Sequence, residues 1–225
     1  MDHLKEWLDK TKNKVMERFS AEEGSHDWHH IDRVRRMALK ICGVEGGDPF
    51  TVEMAALLHD MEDWKLNSGT ERSFSVREWL ITEGMEKEQA ERILTVIREV
   101  SFKGSDVATP CSSLESMIVQ DADRLDAIGA IGVARAFAYG GKKGQPLHVP
   151  GAKPVRHASF EEYRNHNGST VQHFYEKLLL LKDRINTQEG KRMAANRHNF
   201  MLDFLDHFFS EWDLDDPAQV IAEHM

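Results

Sequence analysis

The sequence predicts an all-α protein with one domain, and three observations support this prediction. Apolar residues recur at helical spacing in most segments, and glycine and proline cluster between those segments. No run of alternating β-branched residues is long enough for a strand. A chain of 225 residues can bury a large helical core. We therefore expect one helical domain over 1–212 and a flexible tail over 213–225.

The N-terminal part of the chain contains three helical patterns. The first covers residues 3–19. After a break at Gly24, either Ser25 or Asp27 can cap a second helix. Its apolar positions follow at helical spacing: Ile31, Val34, Met37, Ala38 and Ile41. The third segment, 50–58, is apolar on nearly every side, which is typical of a helix buried all round.

The remainder of the chain also reads as helical. Further helices are predicted from apolar spacing over these ranges: 76–80, 90–100, 113–139, 169–183 and 187–212. We expect an exposed loop over 139–159, where most of the remaining glycine and proline residues occur. The aromatic and methionine side chains of the last helix are interpreted as core packing.

Composition and charge exclude several classes of protein. A membrane-spanning helix is not expected, because no run of about 18 apolar residues is present. The N-terminal residues alternate in charge and do not resemble a secretory signal. The net charge of −9 disfavours broad binding to nucleic acid or to a membrane surface. Cys42 and Cys111 are interpreted as buried apolar residues, and a cytoplasmic location is expected.

Three short segments are rich in metal-binding side chains: 25–34 and 55–65 combine histidine with carboxylates, and 120–129 carries three aspartates. In the second segment an apolar helix ends at His59 and Asp60. A buried carboxylate needs a cation, a salt bridge or water nearby, because its desolvation is costly. Imidazole and carboxylate ligands together suit Mn, Fe, Co, Ni or Mg. A His-Asp dipeptide alone, however, is more often a solvent-facing pair at a helix end.

Taken together, the three segments resemble the HD superfamily of metal-dependent phosphohydrolases, whose pattern is a lone histidine, a His-Asp doublet and a distant aspartate. The resemblance covers about residues 3–212. The segments 174–179 and 197–205 also resemble those of a bacterial subgroup of small stand-alone HD proteins. The resemblance implies a helical bundle formed by a single HD domain with a C-terminal helical extension. It also implies four ligands for one divalent metal ion: His30, His59, Asp60 and Asp123.

Neighbouring residues compete for these roles. His26 and His30 lie four residues apart and share a helix face, whereas His29 points elsewhere. The resemblance selects His30, which leaves His26 beside the ligands or facing the substrate; surface positions for His26 and His29 are equally open. The resemblance selects Asp123 in the third segment, and its other two carboxylates are interpreted as orienting or capping groups: Asp121 and Asp126.

The metal count follows from a gap in the sequence. No histidine lies between His59 and Asp123. The binuclear branches of the superfamily take extra histidine ligands from that interval, so the resemblance implies one metal ion with positions open to water. An open position is suited to activating water for attack on phosphorus, which favours hydrolysis over oxygenation.

Candidate groups for proton transfer and phosphate binding surround the predicted ligands. Glu62 and Asp63 stay within one turn of the doublet if the helix continues there, and they are candidate bases. His26 is a further candidate for handling the proton. Arg33 and Lys65 are candidates for holding phosphate oxygens. The alternative for the two acidic residues is a solvated turn.

A stretch without any acidic residue supports an anionic substrate. Between residues 127 and 160 there is no Asp or Glu, and four basic residues there are candidate substrate contacts: Lys142, Lys143, Lys153 and Arg156. Gly140, Gly141 and Gly144 would let this stretch act as a lid. The alternative is an ordinary surface loop or a subunit contact, as in a homodimer.

The expected function is hydrolysis of a phosphoester or phosphoanhydride in a small anionic, nucleotide-type substrate, and nucleotide pyrophosphate cleavage is favoured within that class. Two alternatives remain. One is a catalytically inactive sensor that binds metal and nucleotide. The other is a two-metal HD oxygenase, which the missing histidines disfavour.

Overall fold

The computed structural model describes residues 2–19, 27–62, 74–100, 109–155 and 168–213. All regular secondary structure within these ranges is helical, which confirms the predicted all-α class. None of the described helices is both long enough and apolar enough to cross a bilayer. The described residues form two compact units. The first unit contains the described residues up to 100 together with 109–123 and 186–189. The second unit contains the described residues within 124–185 and 190–213.

The first unit contains six of the described helices: α1 (Asp2–Phe19), α2 (Trp28–Glu45), α3 (Pro49–Leu58), α4 (Val76–Thr82), α5 (Lys87–Val100) and α6 (Leu114–Asp126). The last turn of α6 belongs to the second unit. The predicted positions of the first five agree with these bounds. The α2 stripe is buried throughout, and every residue of α3 from Phe50 to Leu58 is buried except Glu53, which is half-buried. The core of this unit therefore lies around α3, as its sequence predicted.

The second unit contains α7 (Gly129–Lys143), α8 (Thr170–His173) and most of α9 (Gln188–Asp213). After α8 the chain continues as a π-helical turn, Phe174–Leu178, and a 3₁₀ segment, Leu179–Arg184. In α9 the side chains of Met201, Leu205 and Phe209 are buried, as the core interpretation requires. Phe200 is different, because 46% of its surface is exposed.

The single helix predicted over 113–139 is wrong. The chain instead forms α6 and α7, separated at Ala127 and Ile128. The amide of Ala127 bonds to the Arg124 oxygen at 3.2 Å, which tightens the end of α6, and Gly129 then takes a φ of +77°. Only glycine adopts that conformation at little cost, so the helical path is interrupted there.

The predicted loop over 139–159 begins later than expected, because residues 139–143 complete α7. Gly144 ends the helix in the left-handed conformation with φ 67°. From Gly144 to Val155 no regular element is present, which agrees with the predicted loop as far as the chain is described. The two cysteines differ, since Cys42 is buried and Cys111 is half-buried.

Candidate metal centre

His30 lies in the first turn of α2. Asp27 precedes the helix, and its Oδ1 accepts a hydrogen bond from the His30 amide at 2.7 Å, so Asp27 is the cap that the sequence predicted as one alternative. The next residue, Ile31, is fully buried. The His30 side chain is only 4% exposed, whereas the neighbouring His29 is exposed. The helix therefore directs one of two adjacent histidines into the protein.

His59 and Asp60 follow directly after α3, in a turn that reaches Glu62. Placing Glu62 and Asp63 within one turn of the doublet required that the helix continue past His59. It does not continue through Glu62, because the amide of Met61 bonds to the Leu58 oxygen at 3.1 Å. His59 Nδ1 lies 2.8 Å from the Ala56 main-chain oxygen. Because a carbonyl oxygen only accepts, Nδ1 carries the proton and Nε2 presents its lone pair.

Asp123 comes from α6, far along the chain, and completes the group. Its Oδ1 lies 3.6 Å from His30 Nε2 and 3.9 Å from His59 Nε2. Asp60 Oδ2 lies 3.5 Å from each of the same two nitrogens. Ligand bonds of about 2.0–2.2 Å place neighbouring donor atoms about 3–3.5 Å apart. The four side chains thus surround a volume of the size that one metal ion needs.

The chemistry of the donor atoms supports the same interpretation. His59 Nε2 is buried and has no hydrogen-bond partner among the described residues. The ligand-capable atoms of His30, His59 and Asp60 all lie within 4.8 Å of one another. A buried nitrogen lone pair without a partner is costly in a protein interior, and a cation beside two carboxylates removes that cost. The residues present therefore fit a divalent metal ion.

Exposure differs between the two kinds of ligand. The imidazole side chains of His30 and His59 are 4% and 3% exposed, whereas the carboxylates of Asp60 and Asp123 are 16% and 28% exposed. The cluster is consequently closed on the histidine side and open to solvent on the carboxylate side. Such a site leaves room for water or for a substrate oxygen on its open side.

Comparison with known proteins identifies the family. The HD domain family model matches residues 27–128. The chain is also 40% identical over 207 residues to YpgQ of Bacillus subtilis, covering 91% of this chain and 93% of YpgQ. This chain belongs to the HD superfamily. A crystal structure of an HD-superfamily hydrolase from Bacillus thuringiensis has a TM-score of 0.73 at 38% identity, with 94% of this chain and 100% of that one covered.

A crystal structure of B. subtilis YpgQ in complex with ADP is as similar in fold to this chain as the B. thuringiensis structure is. Its TM-score is 0.73 at 34% identity, and the similarity covers 92% of this chain and 96% of that one. These likenesses extend over nearly the full length of each relative and well beyond the segment 27–128 that the HD family model matches.

The two carboxylates that flank Asp123 in this HD protein have other partners. Asp121 accepts hydrogen bonds from the start of α9, including the Thr187 amide at 2.7 Å, which agrees with its interpretation as a capping group. Asp126 accepts a hydrogen bond from Arg135 Nη1 at 2.5 Å, and its side chain is 1% exposed. Asp126 therefore forms a buried ion pair.

The predicted catalytic and phosphate-binding residues are only partly described. Glu62 is exposed, and its Oε1 accepts a hydrogen bond from the Val76 amide at 2.6 Å, which joins the turn after His59 to the start of α4. Arg33 is half-buried on α2, three residues after His30. The remaining candidates lie outside the described residues: His26, Asp63, Lys65 and Arg156. All of these roles stay predictions.

The other basic candidates belong to the second unit. Lys142 and Lys143 form the exposed end of α7, and the Lys143 ammonium lies 5.8 Å from the centre of the Tyr139 ring. Lys153 is exposed, and its main-chain oxygen accepts a hydrogen bond from Gln172 Nε2 at 3.1 Å. Their contact with a substrate stays a prediction.

Sequence reasoning missed Gln120, Asn186 and Thr187. Gln120 is fully buried and bonds to Asn186, while Asn186 and Thr187 bond to Asp121. The polar pair at 186–187 precedes a helix, which is a capping signal, but such a signal normally indicates local partners. Nothing in the sequence connects it to residues more than 60 positions earlier.

Proposed function

We propose that this protein is a metal-dependent phosphohydrolase whose divalent ion is held by His30, His59, Asp60 and Asp123. One observation carries the proposal: each of two buried Nε2 atoms lies 3.5–3.9 Å from an oxygen of each of two carboxylates, and these side chains come from three distant segments. Two neutral imidazoles and two carboxylates leave the bound site neutral overall, which suits a divalent cation in a mostly buried position.

Imidazole and carboxylate ligands favour divalent ions that bind nitrogen and oxygen donors, and the candidate metals are Mn, Mg, Co, Ni and Fe. When bound, such an ion lowers the pKa of a coordinated water and polarises a phosphoryl oxygen. The carboxylate side of the cluster is the side open to solvent. We place the reacting phosphoryl group and the water there.

The surrounding residues supply orientation and proton transfer in this proposal. The hydrogen bond to Ala56 holds His59 in a single tautomer and orientation. Glu62 follows Asp60 by two residues and is exposed, so its second carboxylate oxygen can accept a proton from water. Arg33 lies one helical turn beyond His30, on the same side of α2, and is the proposed contact for a phosphate oxygen.

A nucleotide is the proposed substrate, and cleavage between the α- and β-phosphates is the favoured reaction. The support is the relative YpgQ, which was crystallised in complex with ADP. The basic residues of the second unit, Lys142, Lys143 and Lys153, agree with a polyanionic substrate. A nucleoside triphosphate would then yield a nucleoside monophosphate and pyrophosphate, with the elements of water divided between the two products.

The experiment incubates the full chain with a panel of nucleoside mono-, di- and triphosphates and with Mn, Mg, Co or Ni. Phosphate and pyrophosphate release are assayed separately. We expect metal-dependent pyrophosphate release that Asp60→Ala abolishes and that Asp203→Asn, a change at an exposed carboxylate of α9, leaves unchanged. Release of phosphate alone would contradict the favoured cleavage position but not the hydrolase proposal.

Two further outcomes would replace the proposal. Metal-dependent nucleotide binding without any product, for every nucleotide and metal tested, would identify a sensor. Elemental analysis that finds two transition metal ions per chain would favour the two-metal oxygenase class.

A further inference from the structure

A buried carboxylate on α6 is held by the start of α9. Asp121 is fully buried. Its Oδ1 accepts hydrogen bonds from the amide and the Nδ2 of Asn186, both at 2.8 Å. Its Oδ2 accepts hydrogen bonds from the amide and the Oγ1 of Thr187, both at 2.7 Å. Four donors occupy about the four lone-pair sites that a carboxylate offers, so this side chain is fully bonded.

Adjacent side chains extend the network to other helices. Gln120 Nε2 donates to the Glu99 oxygen at the end of α5, at 2.6 Å, and Gln120 Oε1 accepts from Asn186 Nδ2 at 3.0 Å. At the other end of the segment, the Glu189 amide donates to Glu45 Oε1 at 2.6 Å, at the last residue of α2. Residues 186–189 are therefore bonded directly to α6 and α2, and Gln120 links the same network to α5.

Helix geometry connects this network to the candidate metal centre. Asp121 and Asp123 are two residues apart, so their side chains leave α6 about 200° apart around its axis. The hydrogen bonds of Asp121 therefore lie on one side of α6, and Asp123 faces His30 and His59 from the other side. A rotation of α6 by about 10° would move a carboxylate about 6 Å from the axis by about 1 Å.

We infer that Asp121, together with Asn186 and Thr187, is a positioning residue for the metal centre. This inference rests on the proposed function, because it acts through Asp123 as a ligand. The four hydrogen bonds fix the rotation of α6 before any ion binds, so that Asp123 Oδ1 is already 3.6 Å from His30 Nε2. Metal affinity then depends on residues 186–187, which lie outside the segment 27–128 that the HD family model matches.

Thr187→Val tests this inference, and Thr51→Val is its matched control. Both changes replace a hydroxyl by a methyl group, and both remove a hydrogen bond from Thr Oγ1 to an aspartate Oδ2, of 2.7 Å at Thr187 and 2.6 Å at Thr51. Both residues are buried in the first unit at the start of a helix. Thr51, however, is bonded to Asp48 at the far end of α3, about 12 Å along the helix from His59.

The measured quantities are the dissociation constant for Mn(II), from the electron paramagnetic resonance signal of the free ion, and the unfolding temperature of the metal-free protein. Both variants should unfold at lower temperature than the wild type. We expect Thr187→Val to weaken Mn(II) binding by about 10-fold, and Thr51→Val by no more than about twofold. Asp121→Asn, which places an amide NH₂ against donors, should weaken it further if that variant folds.

Equal Mn(II) dissociation constants for Thr187→Val and Thr51→Val would overturn the positioning role, since both changes would then act on stability alone. A wild-type protein that binds no Mn(II), Mg(II), Co(II) or Ni(II) would overturn the metal centre itself, and the positioning role with it. These two failures are distinguished by the wild-type titration. Thr187→Val keeps the main-chain hydrogen bond of residue 187, so it decides the question even if Asp121→Asn does not fold.

Discussion

The Nδ1 atom of His59 donates a hydrogen bond to the main-chain oxygen of Ala56 at 2.8 Å. Ala56 lies in the last turn of α3, where carbonyl groups need partners from beyond the regular helix. The bond therefore satisfies a helix end and, at the same time, leaves the Nε2 lone pair of a buried imidazole directed at Asp60 and Asp123. The way α3 ends thus helps to create the candidate ligand.

Replacing the buried member of an adjacent histidine pair should remove metal binding. His30→Gln deletes one of four proposed ligands, so we expect Mn(II) affinity to fall by at least about 100-fold, beyond the effect typical of outer groups. The control is His29→Gln, because His29 is the next residue on α2 and is exposed. Isothermal titration calorimetry measures both affinities. Similar losses in the two variants would contradict the assignment of His30.

Substitution of Gly129 should destabilise the protein. A Cβ at this position would lie 2.9 Å from Arg197 Cγ, and the backbone has a φ of +77°. Gly129→Ala is therefore expected to lower the free energy of unfolding by about 2–3 kcal/mol. Gly141→Ala is the control, since it lies in α7 with nothing within 4 Å of its Cβ position, and it should be neutral or stabilise by up to about 0.5 kcal/mol. Urea unfolding measures both changes.

Two neighbouring arginines on α2 should contribute unequally to stability. The Arg35 guanidinium bonds to Asp32 at 2.9 Å and to Glu53 of α3 at 2.7 Å, and it is 19% exposed. Arg36 also pairs with Asp32, at 3.0 Å, but is 63% exposed. We expect Arg35→Met to cost about 1–2 kcal/mol and Arg36→Met less than about 0.5 kcal/mol in urea unfolding. The reverse order would show that the bond between α2 and α3 adds little.

The stability of the protein should fall in acid partly because of His173. Burial lowers the pKa of His173 to about 3 from 6.5, and the Lys177 ammonium acts in the same direction. The unfolded chain therefore binds a proton near pH 6.5 that the folded chain does not bind until about pH 3. For this reason the free energy of unfolding is undiminished by His173 above pH 6.5. It falls as the pH drops from 6.5 toward 3, by up to about 1.4 kcal/mol for each pH unit.

The variant His173→Gln has no such proton to bind, so its free energy of unfolding should depend less steeply on pH between 6.5 and 3. His207→Gln, at an exposed position of α9, is the control and should keep the wild-type slope. Urea unfolding at a series of pH values gives the slopes. Identical slopes in all three proteins would assign the acid sensitivity to other groups.

Local patterns predicted the helices around the candidate site well. The α2 stripe is buried because its apolar residues recur at the period of the helix, and Asp27 caps it because a short acceptor side chain suits that position. The four proposed ligands were selected from their order in the sequence and the resemblance to the HD superfamily. Their convergence is consistent with that choice, while their role as ligands stays a prediction.

Longer-range interactions account for what the patterns missed. The expected helix over 113–139 carries apolar residues at helical spacing along its whole length, and no local signal breaks it except glycine. Its interruption at Gly129 coincides with the side chain of Arg197, which packs against that glycine and bonds to the Leu125 oxygen. A residue 68 positions later supplies this contact, so local apolar spacing carries no information about it.

By itself, the sequence determined the helical class, the buried α3, the two candidate caps of α2 and the residue types able to bind a metal, because each depends on neighbours within a few turns. The tertiary structure alone decided how His30, which the resemblance selects over His29, meets His59 and Asp123 in one place. It also decided that Asp121 is held from behind by Asn186 and Thr187. The reason is physical: the direction of a buried polar side chain depends on partners that folding brings together from distant parts of the chain.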